Sequence, residues 1–200
     1  MGAVSGNSCT MEGSVCPFGA AFRRERQQRE ISQWMLAKRL DYHTRNIQRI
    51  EGGLRQPGVE LALRMLEAIG ADPGEFFRLL CVEATEKSDT APSVLPGSVD
   101  VAYQKPEAAE GMRSFFGPLL VQARQAAGMS QTAMARRAGY NLRNVNTVER
   151  GRQEPGVMSA LALAAATGVE VGDFFAHLAL FSGTARGVYG SGSGGNGPYG

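Results

Sequence analysis

One segment of this chain occurs twice. Residues 18–80 and 116–178 align without a gap at a constant offset of 98, with roughly 24 of 63 positions identical. Phe18-Gly19 falls on Phe116-Gly117, Arg26-Gln27 on Arg124-Gln125, Ser32-Gln33 on Ser130-Gln131, Arg45-Asn46 on Arg143-Asn144 and Phe76-Phe77 on Phe174-Phe175. Identity of that density at fixed spacing means that one supersecondary unit is present in two copies. The sequence therefore predicts a tandem of two small domains, over residues 17–81 and 115–181, joined by a linker over 82–114. Residues 1–16 are small and polar without periodicity, and 182–200 are Gly-rich, so both are expected to be disordered tails.

Periodicity gives the fold class. Within each copy apolar residues recur at helical spacing and no useful length alternates as a strand would. Five short helices are expected in the first copy: about 18–29, 32–40, 44–51, 59–69 and one opening at Asp72-Pro73. Ser32 and Asp72 are suited to cap exposed amides, and Pro73 fits a first helical turn. Gly52-Gly53, Pro57-Gly58 and Gly70 mark the breaks, matched in the second copy by Gly151, Pro155-Gly156 and Gly168. The expected class is all-α.

Composition narrows the function. The chain has 200 residues, 43% of them hydrophobic, enough for two helical cores of about 60 residues. No apolar run reaches the length of a membrane span and the start lacks the pattern of a secretion signal, so a cytoplasmic chain is expected. Cys9, Cys16 and Cys81 have neither metal-ligand spacing nor an even number; Cys81 reads as a small hydrophobe and the other two as tail residues. Net charge is +2 overall. Divided by segment, residues 18–80 hold 11 basic against 8 acidic side chains, residues 116–178 hold 6 against 4, and the connector 81–115 holds 3 against 6. Mildly basic repeats and an acidic connector fit an anionic partner for the repeats.

Arg26, Ser32-Gln33, Ala37, Ile47, Glu51, Gly53 and Pro57 in the first copy carry a pattern found again as Arg124, Ser130-Gln131, Ala135, Val145, Glu149, Gly151 and Pro155. On these residues each copy resembles the helix-turn-helix domain of the lambda-repressor/Cro (Xre) family, over about 126 of the 200 residues. The resemblance implies two five-helix domains of that fold. Asp41 stands where the family usually has Gly, and Gly58 and Gly156 stand where a capping Ser or Thr is common, which predicts a weakened start to the fourth helix.

The resemblance also implies a docking geometry in which the third helix enters the major groove of double-stranded DNA and the start of the second meets the phosphate backbone. The candidate DNA-contacting residues are Gln33, His43, Thr44, Arg45, Asn46, Gln48, Arg49 and Arg55, with Gln131, Asn141, Leu142, Arg143, Asn144, Asn146, Thr147 and Arg152 in the second copy. Each has an ordinary alternative as part of a solvated helix face. Leu142 argues against that alternative, because an exposed Leu opening a helix is unfavourable unless it meets a thymine methyl or a protein. By the same resemblance Arg26 with Glu51, and Arg124 with Glu149, form scaffold ion pairs; Phe76, Phe77, Phe174 and Phe175 are read as core or interdomain packing. Trp34 is expected to be half-buried, without a site role.

Two heads that share Arg45/Arg143 and Asn46/Asn144 but differ elsewhere suggest a regulator reading two related half-sites. A flexible linker of about 35 residues spans roughly 33 Å, close to one helical turn of DNA, so tethering is feasible geometrically, although a linker of this length does not dictate spacing. The alternative is a protein-interaction module, antitoxin-like or polymerase-associated, in which repeat two holds a protein; Leu142 and the alanines of its fourth helix (Ala160, Ala162 and Ala164 to Ala166) favour it, and the same alanines fit a homodimer. His43 and His177 lack partners at ligand spacing, and no nucleophile-base pair or phosphate loop is visible. No enzyme activity, metal, cofactor or small-molecule substrate is therefore expected.

Overall fold

The structure is a computed structural model that describes residues 16–86, 99–107 and 114–183. Most of the expected tails, and linker residues 87–98 and 108–113, fall outside the described residues. Among the described residues ten helices follow in order: α1 Pro17–Gln28, α2 Gln33–Leu40, α3 Thr44–Glu51, α4 Val59–Ile69, α5 Pro73–Glu86, α6 Phe116–Ala126, α7 Gln131–Ala138, α8 Leu142–Glu149, α9 Val157–Thr167 and α10 Val171–Ser182. The protein is all-helical, in two five-helix repeats of matching order.

Local chemistry explains the boundaries. Ser32 and Ser130 accept from the amides of Met35 and Ala133 at 3.1 Å, each closing the start of its second helix. Asp72 does the same for Glu75 at 2.7 Å. Asp41 adopts φ 50°, and its counterpart Gly139 φ 70°, so the tight turn between the second and third helices is left-handed in both copies. Asp is one of the few side chains that tolerates that region.

The two repeats are not tethered beads. Val59 donates its backbone amide to the Pro155 carbonyl at 3.1 Å, and Val157 donates to Pro57 at 2.9 Å. Counterpart residues thus make the same bond in both directions across the copies, the signature of an approximate two-fold axis between them. On that axis Gly58 and Gly156 form an antiparallel bridge. The Phe77 and Phe175 rings stack with centroids 3.8 Å apart, and buried residues of both repeats form one continuous core. Arg78 reaches across to Glu170 at 3.0 Å. Direct packing therefore relates the two repeats, beside the covalent connection between them.

The axis also explains the glycines that cap the fourth helices. A Cβ on Gly58 would lie 2.2 Å from a Glu154 carboxylate oxygen, and one on Gly156 would lie 3.0 Å from the Gln56 side chain. Glu154 occupies the space that a capping side chain would need and bonds the Glu60 amide at 2.9 Å. The first of the two fourth helices is therefore not weakly started: the other repeat supplies its cap.

Three further expectations change. In α9, Ala160, Ala164, Ala165 and Ala166 are buried in the chain's own core, so those four form no surface for a homodimer. Cys16 is no tail residue but packs, half-buried, at the start of α1. Trp34 is 59% exposed rather than half-buried, with the Lys38 ammonium 4.2 Å from its ring centroid. Residues 99–107 form a strap on repeat two: Val99 bridges Val169, Gln104 and Gln122 exchange two bonds of 2.9 Å, and Tyr103 packs edge-on against Phe174.

Candidate nucleic-acid interface

The third helix of each repeat stands on a buried ion pair. Arg26 of α1 grips Glu51 of α3 through its Nε at 2.6 Å and its Nη2 at 2.9 Å, and also donates to the Ile31 carbonyl. Arg124 repeats the arrangement on Glu149 at 2.6 and 3.3 Å, donating to the Met129 carbonyl at 2.8 Å. The fork geometry satisfies both carboxylate oxygens where water cannot. These side chains serve as scaffold, in agreement with the sequence reading.

A third member joins each pair. Gln33 donates its amide nitrogen to Glu51 at 2.8 Å, and Gln131 donates to Glu149 at 2.5 Å. Both glutamines are half-buried at the first position of the second helix. A side-chain amide carries two N–H groups, so each keeps a second donor after the bond to Glu. Position and orientation are thereby fixed by the same carboxylate that anchors the third helix.

On α3, Ile47, Ile50 and Glu51 face inward. Helical spacing then turns Arg45, Gln48 and Arg49 outward on one exposed stripe, with Thr44 and Asn46 half-buried at its edge. His43 is exposed just before the helix and makes no side-chain cap, and Arg55 is exposed in the loop beyond. On α8, Val145, Val148 and Glu149 face inward while Leu142 and Arg143 are exposed, Leu142 by 44%. Asn141 accepts from the Arg143 amide at 2.8 Å as a helix cap. Asn144, Asn146 and Thr147 are half-buried, and Arg152 is exposed beyond the helix. Each repeat thus gathers its own candidate residues around its second and third helices.

The candidate arginines lie outside the salt bridges, as do Arg23, Arg39, Arg64, Arg136 and Arg137 among the described residues. Arg24, Arg26, Arg29, Arg78 and Arg124 are in salt bridges. Among the described residues, Arg45, Arg49, Arg55, Arg143 and Arg152 are in none, and a guanidinium without a carboxylate keeps its planar fork for another anion or a base edge. Arg150 belongs with them and escaped the sequence reading. It is exposed at the end of α8, and its repeat-one counterpart is Gly52, so neither the repeat nor the family pattern marks it.

Among the described residues no group of His, Cys, Asp and Glu is placed to hold a metal ion, and no helix is long and apolar enough to cross a membrane. A family model described as a helix-turn-helix domain matches the chain twice, over residues 17–79 and 116–178. No curated protein and no solved structure matches it.

Proposed function

The chain belongs to the helix-turn-helix domain family, matched over 126 of its 200 residues in two copies of the type seen in Xre proteins, and from that premise we propose a sequence-specific, double-stranded-DNA-binding transcriptional regulator. In this reading α3 and α8 each enter a major groove and read two related, non-identical half-sites. Residues 17–81 and 115–181 are the reading domains and 82–114 the connection. The protein acts in the cytoplasm, at the nucleoid.

The observation that carries the reading is the two-fold axis through Gly58 and Gly156, with Phe77 stacked on Phe175. DNA presents half-sites with two-fold symmetry, and regulators of this kind meet it by dimerising. Here the paired arrangement lies within one chain, so spacing is built into the fold. Arg45 and Arg143 occupy equivalent exposed positions and would give the half-sites a shared element, a guanine receiving a bidentate fork. Gln33 and Gln131, held by Glu51 and Glu149, would place their free N–H groups on phosphates.

The exposed Leu142 favours a second reading, in which repeat two holds a protein. Selection from random DNA, with Arg45→Ala and Arg143→Ala chains in parallel, separates the two. Loss of about tenfold or more in specific affinity in both variants, at unchanged helicity, supports the two-headed reader. Loss in Arg45→Ala alone assigns repeat two to a protein partner, and a selected site that is a perfect palindrome contradicts two non-identical heads.

A further inference from the structure

The heads occupy equivalent places but do not offer equivalent chemistry. On α3 the exposed stripe holds three side chains able to make two parallel hydrogen bonds to one base: Arg45, Gln48 and Arg49. On α8 the same stripe holds Leu142 and Arg143, and the counterparts of Gln48 and Arg49 are half-buried with one donor each bonded within the protein, which leaves Asn146 a second N–H. Thr147 donates its hydroxyl proton to the Arg143 carbonyl at 2.8 Å, and Asn146 donates to the Gln131 side chain at 3.4 Å. A donor already bonded in the free protein gains less from a base, because one bond is exchanged for another.

The loop beyond the third helix differs in charge. Repeat one carries Gly52, Leu54 and exposed Arg55 there, where repeat two carries exposed Arg150 and Arg152 and the uncharged Gln153. Docking of this kind directs the start of the helix at base edges, leaving its far end to the flanking backbone. Contacts to phosphate position a protein without reporting sequence.

We propose that the repeats divide the work: α3 reads base identity through Arg45, Gln48 and Arg49, whereas repeat two mainly grips the backbone through Arg150 and Arg152. The operator is then exacting in the half beneath repeat one and permissive in the half beneath repeat two. This rests on the reading of α3 and α8 as DNA-contacting helices. It adds an asymmetry that this reading does not require.

The test is the full chain on its selected operator, with each base pair substituted in turn and salt varied. Gln48→Ala, an uncharged change at an exposed position, should flatten a preference of about ten- to a hundredfold at base pairs in one half only and leave the salt slope unchanged. The double variant Arg150→Ala/Arg152→Ala should weaken binding evenly across all sequences and reduce the slope of log affinity against log salt by about 2. Circular dichroism of each variant establishes folding. The proposal is overturned if Asn146→Ala flattens its half as strongly as Gln48→Ala does, or if the double arginine variant changes base preference. Absence of any sequence preference in the unaltered chain removes the DNA reading itself, an outcome distinct from equal stringency in the two halves.

Discussion

At the scale of single residues the same polar groups are used twice with different partners. Glu51 and Glu149 each take an arginine fork and a glutamine amide, so both oxygens of each carboxylate are bonded. Glu60 is the odd carboxylate. It lies at the junction of the repeats, accepting from Ser114 and Ser182 with Glu154 nearby. Burial pushes its pKa up from the usual 4.5, the two serine bonds pull it down, and the Glu154 charge pushes it up again, leaving it raised. A raised carboxylate stabilises the fold fully below its unfolded pKa, and that contribution is lost as pH rises through its folded pKa. Glu60→Gln, which cannot ionise, should therefore unfold at higher urea than the parent at neutral pH, the difference vanishing below 4.5. Denaturation at both pH values checks it, and an equal shift at both would place the effect in packing instead.

At the scale of elements, most of the helices were legible because their punctuation is local. Ser32, Gly53, Gly70 and Pro73 act on their neighbours alone, and the structure bears out α3 as 44–51 and α4 as 59–69. Asp41, which stands where the family usually has Gly, takes the left-handed turn at φ 50°. The fourth-helix start was misread because its cap comes from 94 residues away, where Glu154 meets the Glu60 amide. No local rule finds such a partner. Glu154→Ala should cost about 1 kcal/mol in a urea titration, the usual worth of a helix cap; no change would mean that water serves the amide equally well. The exposed stripe on α3 was also legible, since the inward period of Ile47, Ile50 and Glu51 leaves only one face for Arg45, Gln48 and Arg49. Arg150 was not, because its meaning depends on standing exposed beyond the family's pattern. The alanines of α9 misled for the complementary reason: small apolar residues suit an outer seam and an inner one alike, and only burial distinguishes them.

At the scale of the molecule the shared core predicts one unfolding event. Phe77 and Phe175 are fully buried against each other, so neither repeat can open without exposing the other. Calorimetry should give a single transition with equal calorimetric and van't Hoff enthalpies. Phe175→Ala should cost about 3–5 kcal/mol and lower that one transition; two separate transitions in the parent chain would contradict the common core. The sequence disclosed the duplication but not this union, since the residues that join the repeats are also those any helical core would bury. The reciprocal bonds of Val59 to Pro155 and Val157 to Pro57 are what a symmetric pair of subunits would make, here made within one polypeptide. The difference is one of stoichiometry. Loosely paired separate subunits are diluted twice over, the amount of active pair falling as the square of chain concentration. This chain carries its pair at any dilution, so occupancy of whatever its two heads hold falls only in proportion to the number of copies in the cell.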